Sequence, residues 1–222
     1  MGDLRQRPAI KICGLTDTDQ ALKIAALGVD AIGAIGVERT PRHLAEGQRR
    51  QLFAALEQAF PKLLRVWVVA DLDDDQLDRA LDGDGPPSVV QLHGSESPER
   101  CRILRQRHPQ VQWWKALRLR EASDLNGLAD YGDGVDALLL DAWSPSHLGG
   151  TGHRLPLEWL NSSSIPLPWW LAGGISAEWV ATVLEQTSPH GLDASSRLEQ
   201  RPGWKDLTKV KALVEAVHSC EK

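Results

Sequence analysis

The chain has 222 residues, 42% hydrophobic and 25% charged, enough for one large domain with a sizeable core and too apolar for a disordered chain. A formal net charge of −5 excludes a general basic field for nucleic acid, so an anionic ligand would need a local pocket of donors. Three cysteines (Cys13, Cys101 and Cys220) make neither a disulfide framework nor a paired metal-ligand set, and fit a reducing cytoplasm.

The opening MGDLRQRPAI has no apolar run long enough for a signal peptide. The first strand is AIKIC, Ala9 to Cys13, and a helix from Asp17 to Leu27 stops at Gly28. Asp30 to Gly36 is the second strand, followed by a helix from Ala45 to Ala59 that ends before Pro61. Leu63 to Ala70 is the third, and DDDQLDRAL its helix, with acids in the first turn. DGDGPP then turns the chain into Ser88 to Gly94, the fourth strand. Ser97 caps the next helix and Pro98 takes its first position.

Val111 to Leu117 is the fifth strand, with a weaker helix near Glu121 to Ala129. Asp136 to Ala142 is the sixth, followed by a long loop and a short helix near Leu157 to Leu160. Leu167 to Gly173 is the seventh, with Ser176 capping a helix that reaches Gln186. His190 to Ser196 is the eighth, and a last helix runs from Lys205 to His218. No apolar stretch nears the roughly 18 residues that cross a bilayer. The nine tryptophans, including the pairs Trp113–Trp114 and Trp169–Trp170, are read as packing residues rather than a ligand platform.

Strands alternating with helices imply parallel pairing and right-handed crossovers. Eight such units in one domain spanning residues 1–222 predict an α/β fold, a (βα)8 TIM barrel, ahead of an open doubly wound sheet. In a barrel the site lies at the C-terminal ends of the strands. Those ends carry Cys13-Gly14, Gly36 with Thr40-Pro41-Arg42, Gln91-Leu92-His93-Gly94, Asp141, Gly173-Gly174 and Ser195-Ser196.

GGTG (ending at Gly152), AGGI (with Gly173 and Gly174) and DASS (with Ser195 and Ser196) read as a phosphate site. Glycines let backbone N–H groups converge on an anion, and the loops after strands seven and eight build the common phosphate site of this fold. The plainer alternative is that the glycines only make tight turns. Cys13 and Asp141 end strands one and six, so in a closed barrel the phosphate loops of strands seven and eight fall on the rim between them. An acid on one side and a thiolate on the other suit proton transfer between sugar carbons. Taken alone, each residue has a plain structural role open to it, a buried small hydrophobe for Cys13 and a cap or ion-pair partner for Asp141.

KICGLT, TPR (Thr40 to Arg42), QLHG, LLLDA, GGTG, LAGGI and the run from Asp193 through Asp206 arrive in an order that resembles the phosphoribosylanthranilate isomerase family, nearly end to end. The resemblance implies an enzyme of tryptophan biosynthesis with a phosphosugar substrate. Its reaction would be an Amadori rearrangement of N-(5-phosphoribosyl)anthranilate to 1-(2-carboxyphenylamino)-1-deoxyribulose 5-phosphate. It assigns Asp141 as the general acid that opens the furanose ring, Cys13 as the base at C2, and Arg42 as the partner of the anthranilate carboxylate. The late Gly and Ser loops would hold the phosphate. No metal or cofactor is implied, because the protonated nitrogen serves as the electron sink. Two stretches depart from the pattern: Arg197 stands where the family usually has glycine, and the second strand end reads GAIGVERTPR, without the usual aromatics.

Side-chain parity adds two expectations. Lys11 and Asp193 should form an interior ion pair beneath the site. His93 either sits at the rim near the substrate ring or is bonded to backbone behind it. The expected partner is the small molecule alone, without nucleic acid or membrane, and the expected state a monomer, with a homodimer as the alternative. A histidine-pathway aminoaldose-phosphate isomerase, which carries aspartate in place of Cys13, and a non-catalytic phosphate-binding barrel are the competing readings.

Overall fold

The structure is a computed structural model that describes residues 7–142, 154–161 and 165–220. Eight parallel strands close into a barrel in sequence order, as the alternation predicts. They are β1 (Ala9–Cys13), β2 (Ala31–Ile35), β3 (Leu64–Val69), β4 (Val89–Leu92), β5 (Gln112–Leu119), β6 (Ala137–Ala142), β7 (Trp169–Leu171) and β8 (Gly191–Ala194). The helices are α1 (Thr18–Ala25), α2 (Glu46–Ala59), α3 (Asp74–Leu81), α4 (Pro98–Arg107), α5 (Leu157–Asn161), α6 (Ala177–Gln186) and α7 (Leu207–Ser219). β8 closes on β1 with Lys11 opposite Asp193.

Local chemistry explains where most helices begin. The side chains of Asp17, Asp73, Ser97 and Asp206 accept backbone N–H groups of the first turns of α1, α3, α4 and α7. Ser176 occupies the cap position of α6 without bonding the backbone, because its hydroxyl serves the Glu178 carboxylate. The segment after β5 is a 3₁₀ helix over Ala122–Tyr131 rather than an α-helix. Its Ser, Asp, Asn and Gly content disfavours the α form, and Asp124 instead accepts from the N–H groups of Arg120 and Glu121. The final helix starts at Leu207, later than the sequence suggested. Residues before it form a two-stranded hairpin, β9 (Glu199–Arg201) with β10 (Trp204–Lys205), turning at Pro202-Gly203.

Strand alternation divides the core in two. Outward residues such as Ile10, Ile32, Val90, Trp113, Leu138 and Trp169 pack under the helices. Inward residues such as Val66, Val89, Trp114, Leu139 and Trp170 fill the barrel. Each tryptophan pair is therefore split between the layers. Trp114 and Trp170 meet across the interior with ring centroids 4.6 Å apart. Gly191 makes room for that pair, since a Cβ there would lie 2.2 Å from the Trp170 ring.

Candidate active site

At the C-terminal ends of the strands lies a cavity of about 350 Å³. Cys13, Arg42, His93, Asp141, Gly173, Gly174, Ser195 and Ser196 all line it. The structure thus gathers eight sequence-predicted residues from six strand ends. Gly152, the ninth, lies outside the described residues. None of the paired tryptophans lines the cavity, in keeping with a packing role. The second strand end supplies Ile35 and Val37 as apolar lining where family aromatics are lacking.

The acid sits on the buried end of β6. Burial and the neighbouring Asp193 carboxylate push the Asp141 pKa up to about 7, against the opposing N–H bond from Ala142 and the charges of Lys11 and Arg118. The thiol sits opposite, on β1. Burial raises the Cys13 pKa, and Lys11 and Lys205 pull against that rise. Gly33 on β2 leaves space for it, since a Cβ there would come within 2.7 Å of Cys13 Sγ.

Below these groups the expected ion pair is present, with Lys11 Nζ 2.9 Å from Asp193 Oδ1 and the lysine fully buried. Burial works against the lysine's charge, but Asp193 and Cys13 outweigh it and its pKa is raised. His93 is buried with its Nδ1 3.2 Å from Gln91 Nε2. Its Nε2 and Gln91 Oε1 have no partner among the described residues. His93 lines the cavity, and its ring is paired with the Gln91 side chain rather than with backbone. Burial, reinforced by Lys11, Lys115 and Arg118, lowers its pKa to about 3, so the ring is neutral.

The glycine- and serine-rich loops after β7 and β8 are built from unusual backbone. Gly173 and Gly174 have φ of 89° and 70°, a conformation that glycine adopts without strain. Ser195 leaves β8 and Ser196 opens a 3₁₀ turn, Ser196–Leu198. Arg197 in that turn does not adopt positive φ; Asp71 is the one non-glycine residue that does among the described residues. Arg197 is exposed at the cavity edge, so it adds charge without straining the loop.

Sequence reasoning missed Gly33 and the residues behind Arg42. Arg42 Nε and Nη2 donate to Glu199 Oε1 and Oε2 at 2.8 and 2.7 Å. Lys205 Nζ lies 2.7 Å from Glu199 Oε1. Although burial opposes it, these two cations hold the Glu199 carboxyl down at about 2. Both residues fall in the run that carried the family resemblance, and that run was the one signal available for them.

A closed parallel barrel with an acid and a thiol facing one cavity beside glycine- and serine-rich loops defines a class, the (βα)8-barrel enzymes whose chemistry sits at the strand ends. Residues 10–216 match the family described as N-(5'phosphoribosyl)anthranilate (PRA) isomerase. An N-(5'-phosphoribosyl)anthranilate isomerase of Thermosynechococcus vestitus is 44% identical over 210 residues, which cover 94% of this chain and 89% of that protein. One from a Synechococcus species is 46% identical, covering 95% and 91%. The crystal structure of phosphoribosyl anthranilate isomerase from Thermus thermophilus superposes with a TM-score of 0.82 at 31% identity, covering 95% of this chain and 98% of that one. The chain belongs to the N-(5'-phosphoribosyl)anthranilate isomerase family, and is an isomerase of tryptophan biosynthesis.

Proposed function

We propose that the chain, acting as one barrel domain, catalyses the Amadori rearrangement of N-(5-phosphoribosyl)anthranilate, with Asp141 as acid and Cys13 as base. The observation that carries these roles is the pairing of a carboxyl raised to about 7 with a thiol across a single cavity. A carboxyl with that pKa holds a proton near neutrality and gives it up readily. Protonated Asp141 donates to the furanose oxygen. The C1–O bond breaks as the nitrogen lone pair forms the C1=N iminium. The thiolate of Cys13 then takes the proton from C2, and those electrons reduce the iminium to an enolamine, which ketonises. Thiolate is disfavoured in the empty buried site but favoured once the cationic iminium stands before it, with Lys11 and Lys205 adding to the effect.

Gly173, Gly174, Ser195 and Ser196 bind the phosphate through backbone N–H groups and the Ser196 hydroxyl, together with Gly152. Arg42 meets the anthranilate carboxylate. His93 forms part of the cavity wall on the β4 side, beside the aminophenyl end. The substrate is a small phosphosugar, and nucleic acid and membrane are not partners. No helix among the described residues is long and apolar enough to cross a membrane, and three cysteines without a disulfide framework support a cytoplasmic site of action. A monomer is supported by the scarcity of exposed large apolar side chains, Ile103 and Leu207 among the described residues.

The test is loss of substrate fluorescence with purified wild type, C13A and D141N. Turnover by the wild type, reduced at least about a hundredfold in each variant, is the expected result. Full activity in either variant would remove that residue from its role.

A further inference from the structure

Only 6% of the Glu199 side chain is exposed, yet it is an ionised carboxylate. It collects three donors, one from a distant loop and two from its own hairpin. These are Arg42 from the loop after β2, Lys205 Nζ from β10 at 2.7 Å, and the Gly203 N–H from the hairpin turn at 3.1 Å. Burying a charge is costly unless partners surround it, and a hairpin needs no such carboxylate to form.

The geometry at Arg42 gives the carboxylate a purpose. A guanidinium offers two flat two-donor edges, one through Nε and Nη2 and one through Nη1 and Nη2. Glu199 occupies the first. Arg42 borders the cavity. No described residue partners its Nη1. The side-chain stem is confined as well. It passes over Gly14, where a Cβ would lie 2.7 Å from Arg42 Cδ. Gly14 also has φ of 77°, which a side chain would strain. The stem is thus seated by Gly14 and the plane by Glu199, leaving one edge for an incoming carboxylate.

We propose that Glu199 is a positioning residue that sets the site's specificity for a carboxylate-bearing substrate, by fixing the side-on edge of Arg42 and presenting the end-on edge to the cavity. The inference rests on the reading of Arg42 given above. The same carboxylate reaches the chemistry by a second route. Lys205 Nζ lies 3.3 Å from both the carbonyl and the hydroxyl oxygens of Ser195, and the Ser195 hydroxyl donates to the Cys13 carbonyl at 3.0 Å. Glu199 therefore ties the carboxylate-recognition loop to the proposed phosphate loop and to β1.

The experiment compares kcat/KM on N-(5-phosphoribosyl)anthranilate with kcat/KM on N-(5-phosphoribosyl)aniline, which lacks the carboxylate. The ratio is internal to each protein, so a general loss of folded enzyme cancels. Wild type is expected to favour the carboxylate substrate by roughly tenfold or more, the worth of a charged two-donor contact. E199Q should lose most of that preference, mainly through KM, and E199D should fall between the two. Equal losses of E199Q on both substrates, or an unchanged ratio, would overturn the proposal. If E199Q does not fold, E199D decides. It keeps the charge and shortens the reach, and a wild-type ratio in E199D overturns the proposal. Wild type active on both substrates without preference would overturn the role of Arg42 and this inference with it. Wild type inert on both would overturn the proposed function itself.

Discussion

The Asp141 carboxyl connects activity to stability at a single residue. Its pKa is about 7 in the folded chain against a reference of 3.8, because burial and Asp193 disfavour the charge. Only the protonated form can donate to a ring oxygen, so kcat/KM should decline as pH rises above about 7, and a pH–rate profile checks this. The same shift fixes the sign of the linkage. Between about pH 4 and 7 the folded protein holds a proton that the unfolded chain has released, so this residue's contribution to stability falls as pH rises through that window. D141N carries no charge to bury. It should therefore gain on the order of 4 kcal/mol over wild type at pH 8, and the gain should vanish near pH 4. Urea denaturation at the two pH values measures it. Equal gains at both would mean that the ionised acid is not the destabilising feature.

At the scale of elements, the site depends on strands coming close where side chains are missing. β1 and β2 pair with Cys13 opposite Gly33, and any larger residue there collides with the thiol. G33A should displace Sγ and lower kcat at least about tenfold, since small misplacements of a reacting group are expensive. Steady-state kinetics test this, and undiminished kcat would show that the thiol has room to shift. The β9–β10 hairpin is the element that sequence reading overlooked. Its strands have three and two residues, and the lysine at its end looked like the start of the last helix. Its position is set by contacts remote in sequence. Thr16 Oγ1 donates to the Gly203 carbonyl at 3.0 Å, and Glu199 holds the turn's N–H. Gly203, with φ of 80°, is the local mark of that turn.

Over the whole molecule, the barrel closes where its first and last strands meet. The Lys11–Asp193 pair crosses that seam, as side-chain parity together with barrel closure predicted. K11M would leave Asp193 buried beside Asp141 without its cation. A cost of about 3–5 kcal/mol in denaturant unfolding is expected, much of it recovered in the double variant K11M/D193L. Failure of the second change to restore stability would show that the lysine stem, rather than the charge balance, holds the seam.

The sequence by itself determined the order of eight strand–helix units, because hydrophobic runs, caps and breakers act within a few residues of one another. It also determined which side chains stand at the strand ends, since alternation and strand order are local properties. The tertiary structure decided what depends on distance through space: the depth that raises Asp141 to about 7, the gap at Gly33 that admits the thiol, and the split of each tryptophan pair between two layers. It also decided the partner of Arg42. Arg42 and Glu199 lie 157 residues apart along the chain, and no local rule couples them. Desolvation and ion pairing are fixed only when the barrel closes and brings such groups together.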